Sequence, residues 1–497
     1  MAEQRGGPTG PNPGRLPFHD VLVLVPGITG STLLDWEGNE IWGQSGSALY
    51  HGLLRGGARR LQLPCGLGDA EPEDGIQPGR LMPGVHASLG AWSTSLGYGR
   101  LIRHLTNRYT LTAADPRAPE HTANLLPFPY DWRLSNRYNG RLLKRTAEPI
   151  LERWRSSRPE RRDARLVILA NSMGGLVARW YAEQEGGAPL LRALITVGTP
   201  HRGSAKAVGR LVNGLVLGRG RLRLDLSPLL RSLPALHQLL PGYASVHGGD
   251  RMLTFAEAGG LRHVSRRALC DADEFHRTLG TPKGYPLYPL VGTDQPTCSS
   301  VSLDGCRATP LRTMVDASGA SASPLGDGTV PRFAAYPPGW SDRDPSLHFI
   351  AQSHGALPSH PSVLDHVDGI LDGTDTEYRT HGFQLGIDVD DCAFAGEPLR
   401  VRAETSDPAI RLAVHVVNPA TRRRVARVDM TRAGDLMYSA TVEGLGPGGY
   451  EVRVGRAHPQ GFLTNTVVGA TMVIDPADGG GPDGPGAVAA FAVGEGQ

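Results

Sequence analysis

The sequence predicts an α/β protein: a parallel sheet covered by helices, followed by a small antiparallel β-sandwich. Three observations predict it. Short unbroken apolar runs, Val21-Leu22-Val23-Leu24-Val25 and Leu166-Val167-Ile168-Leu169, have the length and composition of strands buried on both faces. Each runs into a glycine-bearing turn, and the second turn leads into a helix-like stretch from Leu176 to Tyr181. After residue 373 the texture changes to period-two alternation, as in Leu399-Arg400-Val401-Arg402-Ala403 and Tyr450-Glu451-Val452-Arg453-Val454, with turns such as Gly446-Pro447-Gly448-Gly449 between the runs.

Taken in order, residues 1–17 are rich in Gly and Pro and lack an apolar core region. They are expected to be a disordered lead and not a secretory signal. The first strand is followed by Pro26-Gly27-Ile28-Thr29-Gly30-Ser31, a turn whose glycines let backbone N–H groups face a cavity. Residues 35–124 form a long insertion rich in Gly, Arg and Leu. Ser172 then sits in Ala170-Asn171-Ser172-Met173-Gly174, between strand and helix. Such a serine takes a sharp, strained turn that needs small neighbours, here Ala170 and Gly174. The turn lifts the hydroxyl out of the sheet, and the N–H groups of Ile28 and Met173 become the expected oxyanion hole.

The next strand contains Leu194-Ile195-Thr196-Val197, and a second insertion covers 202–277. Its leucines between 229 and 240 suit helices that cap an apolar pocket. Residues 285–292 read as a late strand, with a hairpin-rich approach to Asp327 in Gly326-Asp327-Gly328-Thr329-Val330-Pro331. His354 follows the apolar Phe349-Ile350 and precedes a helix-like stretch. Of its competitors, His348 falls in or before a strand, His360 reads as a surface turn residue before Pro361, and His366 lies inside the helix. The chain order Ser172, Asp327, His354 is that of the α/β-hydrolase fold, with cap or lid insertions here. It predicts ester cleavage or transfer through an acyl-enzyme, with His354 as base and Asp327 orienting it.

Several stretches together resemble the lecithin:cholesterol acyltransferase family, which includes lysosomal phospholipase-like enzymes and bacterial relatives. They are Leu24-Val25-Pro26-Gly27 with Gly30-Ser31, then Pro129-Tyr130-Asp131-Trp132-Arg133, the serine turn, Val197-Gly198-Thr199-Pro200 with Gly203-Ser204, the Asp327 turn and His354. The resemblance runs from Val21 to about Leu371, and its most specific part is Pro-Tyr-Asp-Trp-Arg. It implies a serine acyl-enzyme acting on lipid-like esters, by hydrolysis or acyl transfer, with part of the first insertion as a lid that makes peripheral membrane contact. Asn171 stands where the family usually has His. Thr29, Trp132 and Thr199 are the candidate substrate-pocket residues. Asp131 and Arg133 are expected to form a structural ion pair, and His201 to be structural.

The formal net charge of +2 gives no indication of a nucleic-acid partner, and no run of about 20 apolar residues predicts a membrane span. The five cysteines form neither a metal-like array nor a disulfide framework. Cys298 and Cys306 are close enough to pair across a hairpin but are expected to be reduced in a cytoplasmic protein. No metal and no cofactor are implied. The expected organisation is a lead at 1–17, a hydrolase domain at 18–373, a β-sandwich-like domain at 374–474 as a candidate protein-binding or self-association module, and a disordered tail at 475–497. The alternatives are an esterase for small soluble esters and a catalytically silent binding protein of the same fold.

Overall fold

Six parallel strands form the central sheet: β1 (Val21–Val25), β2 (Leu125–Pro127), β3 (Leu166–Asn171), β4 (Leu191–Val197), β5 (Leu287–Gly292) and β6 (His348–Ile350). The computed structural model describes residues 14–475 apart from 44–48, 51, 87–93, 116–117, 218–222, 316–320, 323, 375–383 and 458–465. In space the strands run β6-β5-β4-β3-β1-β2. Val23 lies opposite Leu126 on one side and Ile168 on the other, and Ile168 opposite Leu194.

The unbroken apolar runs have a direct cause. Successive residues of a strand point to opposite faces, and both faces are covered. Val21, Val23, Val25, Leu166 and Ile168 enter one core; Leu22, Leu24, Val167 and Leu169 enter the other. Helices α1 (Gly99–Arg108) and α4 (Pro361–Asp372) close the second face with Leu101, Leu105, Val363 and Val367. Helices α2 (Asn136–Ser157) and α3 (Met173–Gln184) close the first with Leu143, Leu151, Leu176 and Val177. Ser135 caps α2 by accepting the Tyr138 N–H at 3.0 Å. This is the α/β-hydrolase class expected from the sequence.

The first insertion supplies α1 and the strand Gln77–Leu81, which pairs with Ser31–Leu34. The second supplies helices at Ala205–Asn213, Ser227–Ser232, Pro234–His237 and Arg266–Leu279. Its leucines depart from the expected pocket. Leu229, Leu230, Leu233, Leu236, Leu239 and Leu240 are all buried in one core, because short helices joined at Pro234 turn their apolar sides toward one another. Only Leu240 of this series reaches a cavity of about 1080 Å³ that the second insertion encloses with Phe255, Arg262 and Leu269. The approach to Asp327 does contain a hairpin, Ser300–Leu303 against Ala308–Leu311.

Among the described residues, the C-terminal region holds nine strands: β7 (Leu385–Val389), β8 (Cys392–Phe394), β9 (Leu399–Thr405), β10 (Leu412–Asn418), β11 (Arg423–Asp429), β12 (Thr431–Arg432), β13 (Met437–Val442), β14 (Gly448–Arg456) and β15 (Val467–Ile474). They form sheets of order β7-β9-β13-β12 and β8-β15-β14-β10-β11, antiparallel except where β8 joins β15. Residues of both sheets, among them Val401, Val414 and Val452, share one core.

The expected lead needs one correction. Leu16 and Pro17 pair in parallel with Tyr109 and Thr110, so the ordered chain begins before residue 18. Residues 1–13 of the lead and 476–497 of the tail lie outside the described residues. All five cysteines are free thiols. Among the described residues no helix is long and apolar enough to cross a membrane.

Burial pushes His86 and His366 down to about 4, and His201 well below its ordinary value. All three are therefore neutral when folded, whereas the unfolded chain takes up protons near pH 6.5. The stability they allow is complete above about 6.5 and is lost as pH falls below it, by roughly 1.4 kcal/mol per group per pH unit. The thermal midpoint is expected to fall steadily between about pH 6.5 and 4.5. A flat midpoint across that window would mean that these imidazoles are charged in the fold.

Candidate active site

Ser172 sits between β3 and α3 at φ 51°, ψ −126°, a left-handed conformation that a residue with a Cβ seldom adopts. The helix cannot begin otherwise, because the strand must reverse within one residue. The turn also needs Gly174: a Cβ there would fall 2.3 Å from the Pro26 carbonyl oxygen. The serine turn and the 26–30 turn therefore touch backbone to backbone.

His354 lies in the loop between β6 and α4, and Asp327 in the loop after β5. His354 Nε2 is 2.9 Å from Ser172 Oγ, and Nδ1 is 2.6 Å from Asp327 Oδ2. A carboxylate only accepts, so Nδ1 carries the proton and Nε2 is free to accept the serine's. The other carboxylate oxygen accepts the N–H groups of Thr329 and Val330 at 2.9 and 2.7 Å, which fixes the carboxylate plane. The His354 N–H donates to the Asp327 carbonyl at 2.8 Å, joining the two loops through main chain. Beneath the pair, a Cβ on Gly198 would lie 3.1 Å from Asp327 Oδ2 and 3.2 Å from His354 Nδ1. The three side chains are buried, with Ser172 only 5% exposed.

Gly27 abuts Ser172, since a Cβ on it would lie 3.0 Å from the serine Cβ. Ile28 and Met173, the expected oxyanion-hole residues, are each the next residue in the chain after this Gly27–Ser172 contact. The 26–31 turn is braced from several sides. Tyr130 donates its hydroxyl to the Pro26 carbonyl at 2.8 Å, and the Trp132 indole N–H donates to the Ser31 carbonyl at 3.2 Å. Arg133 is fully buried and paired with Asp131 at 2.6 Å and Asp74 at 2.7 Å, so the Asp131–Arg133 pair is structural, with Asp74 as an additional member.

The candidate pocket residues do not line an open pocket. Trp132 is fully enclosed and packs edge-on against Trp42. Thr29, at φ 62°, is buried with its hydroxyl turned back to the Ile28 carbonyl at 2.5 Å. Thr199 is buried against Gly175, whose Cβ position would lie 2.1 Å from its hydroxyl oxygen. They form the wall behind the serine turn. His201 is held between Thr196 and Arg179 at 3.1 and 3.4 Å, away from the triad, in the expected structural role. His348 is in β6 and His366 in α4; His360 is the N-cap of α4, its ring nitrogen accepting the Ser362 N–H at 3.3 Å, and not a plain surface turn residue.

Sequence reasoning missed Tyr98. Its hydroxyl accepts the Gly27 N–H at 2.7 Å and donates to Asn171 Oδ1 at 2.9 Å. Asn171 in turn donates to the Val197 carbonyl at 3.0 Å. The chain of bonds couples the 26–30 turn to the serine turn and to β4. Tyr98 lies 73 residues before Asn171, inside an insertion without periodic signal, so nothing local marked it.

Residues 119–257 match the family model described as Lecithin:cholesterol acyltransferase. The resemblance read from the motifs is thus matched over Pro129–Arg133, the serine turn and the Val197–Ser204 stretch. The match supports a lipid esterase- or acyltransferase-type hydrolase. No curated protein matches the chain. Among solved structures, the chain is similar to the Tle4-Tli4 complex, at 13% identity over 73% of this chain and 100% of that one, with TM-score 0.45. It is also similar to the Bacillus licheniformis lipase BlEst2. The mature form overlaps at 13% identity over 73% of this chain and 94% of that one, TM-score 0.32. The propeptide form overlaps at 10% identity over 93% and 94%, TM-score 0.33. These overlaps are loose, and the fold assignment rests on this chain's own strand order and register.

Tyr98→Phe is expected to lower kcat with little change in KM, because it loosens the 26–30 turn without reaching a substrate surface. It also leaves two buried groups unpaired, costing about 1–3 kcal/mol of stability. Steady-state kinetics with a denaturant titration check both parts. A variant with wild-type kcat would mean that the turn is held without the hydroxyl.

Proposed function

We propose that the chain is a serine-dependent lipid esterase, phospholipase or O-acyltransferase working through an acyl-enzyme. The observation that carries this reading is the unbroken relay from Ser172 Oγ through His354 to Asp327, at 2.9 and 2.6 Å. In the first step His354 Nε2 takes the hydroxyl proton as Ser172 Oγ attacks the ester carbonyl. The oxyanion that forms is held by the N–H groups of Ile28 and Met173. The C–O bond to the leaving alcohol breaks as Nε2 returns the proton to it. A water or a second alcohol, deprotonated by His354, then attacks the acyl carbonyl, and the bond to Ser172 Oγ breaks as Nε2 returns the proton to Oγ, releasing acid or new ester. Asp327 stays ionised throughout and keeps Nδ1 protonated.

The lipid part of the reading rests on the family match and on the two insertions, which frame the site and would meet a lipid surface. One observation favours a second reading, an esterase for small soluble esters: the leucines of the second insertion pack among themselves. Chain length separates the two. Each further buried methylene gains about 0.8 kcal/mol before ordering losses. A lipid enzyme is therefore expected to gain efficiency with acyl length and to prefer dispersed lipid over a monomeric short ester. A flat or falling profile would leave the small-ester reading in place.

Ser172→Ala is expected to abolish fluorophosphonate labelling and to lower kcat by several orders of magnitude, on the order of a million-fold. Asp327→Asn is expected to cost about ten-thousand-fold by favouring the wrong tautomer of His354. Equal labelling of wild type and Ser172→Ala would refute the acyl-enzyme.

A further inference from the structure

Two buried glutamines join the C-terminal sheets to the loops that carry Asp327 and His354. Gln295, just past β5, is fully buried and Gln352 is 4% exposed. The Gln295 main chain exchanges hydrogen bonds with Gly326, the residue before Asp327: its N–H donates at 2.8 Å and its carbonyl accepts at 3.2 Å. Its side chain reaches the other way. Oε1 accepts the Ile387 N–H at 3.0 Å, and Nε2 donates to the Leu385 carbonyl at 3.1 Å. Both partners belong to β7. Thr297 adds a link, donating to the Gln295 carbonyl at 2.8 Å and accepting the Gly328 N–H at 2.9 Å.

Gln352, two residues before His354, repeats the device on the last strand of the chain. Its Oε1 accepts the Val468 N–H at 3.0 Å, and its Nε2 donates to the Thr466 carbonyl at 2.7 Å. Ser353 donates its hydroxyl to the Val468 carbonyl. In both cases the carboxamide presents one donor and one acceptor to strand backbone, as a neighbouring strand would. The approach is close: a Cβ on Gly386 would fall 2.6 Å from Pro296 Cδ and 3.0 Å from the Asp294 carbonyl oxygen. Met472 and Ile474 of β15 also enter the hydrolase core.

From this arrangement we infer that the C-terminal β-domain is a working part of the catalytic unit, with Gln295 and Gln352 as positioning residues that hold the acid and base loops in register. The inference rests on the proposed roles of Asp327 and His354. It gives the β-domain a role beyond that of a binding or self-association module, because buried hydrogen bonds cross the expected boundary near residue 373. One main-chain bond joins the two loops, and each is also fixed on its far side by a glutamine. Releasing either side lets the imidazole move relative to Ser172, and a displacement of about 1 Å is enough to cost up to a hundredfold in rate.

The test uses the full-length chain with Gln352→Leu and Gln295→Leu, which remove both bonds, and Gln352→Asn, which keeps an uncharged donor and acceptor on a shorter side chain. The Leu variants are expected to lose between about 10- and 100-fold in kcat with KM within about threefold. They are also expected to weaken the far-downfield proton signal of His354 Nδ1–H bound to Asp327. Gln352→Asn is expected to fall between Leu and wild type, and it keeps the test decisive if a Leu variant does not fold. Folded variants with wild-type kcat and an unchanged Nδ1–H signal overturn the positioning role. Activity that survives Ser172→Ala would instead overturn the acyl-enzyme, whatever the glutamines do.

Discussion

The site depends on the contact between two tight turns, 26–30 and 171–175. In the proposed reading, the first brings an N–H to the place where negative charge develops and the second raises the serine to the same place. Each turn holds a non-glycine residue at positive φ, Thr29 at 62° and Ser172 at 51°. Such conformations persist only where the surroundings over-determine them. The surroundings here are specific. Gly174 leaves room for the Pro26 carbonyl, Tyr98 bridges Gly27 and Asn171, and Tyr130 and Trp132 hold the turn from the far side. The Pro-Tyr-Asp-Trp-Arg stretch thus acts on the chemistry through the 26–31 backbone. Its Tyr130, Asp131, Trp132 and Arg133 side chains are buried.

The same contact explains which parts of the molecule were legible in the sequence. A strand buried on both faces must be apolar without interruption, so β1 and β3 stood out. Ser172 was legible because its neighbours are constrained by local geometry, within two residues on either side. Asp327 and His354 followed from chain order. Tyr98 was not legible: its role comes from a hydrogen bond across 73 positions, and a lone tyrosine in an aperiodic segment carries no trace of its partner. The leucines of 229–240 show a different limit. Their burial was predictable, but the direction they face depends on how short helices fold on one another, which spacing alone does not fix. Thr29, Trp132 and Thr199, the candidate pocket residues, are buried.

The C-terminal sheets show the third kind of limit. Alternation in β9 and β14 announced two-layered β structure, and Val401 and Val452 do fill its core. Alternation identifies the face that meets the partner sheet, and says nothing about the strand ends that meet another domain. Those ends are held by carboxamides from Gln295 and Gln352, two residues with no distinctive composition around them. Glutamine suits this task because it carries both a donor and an acceptor without charge. A glutamate in the same buried place would bring an ionised group with two acceptors against a carbonyl, and a lysine would bring a charge without an acceptor.

This arrangement has a consequence for how the molecule responds to change. Asp327 and His354 lie 27 residues apart, in loops after β5 and β6, which are adjacent strands of the sheet. A parallel sheet fixes where those strands end, but each loop still has its own freedom to move. Linking the loops to each other alone would let them move together away from Ser172. Linking each to β7 and β15, strands of a second folded body, removes that shared motion, since the two sheets must then shift as well. The relay of 2.6 and 2.9 Å is thus held from three sides: by Gly198 beneath it, by the serine turn, and by the β-domain behind the loops. In the proposed reading, a domain that carries no catalytic group of its own constrains the geometry on which acyl transfer depends.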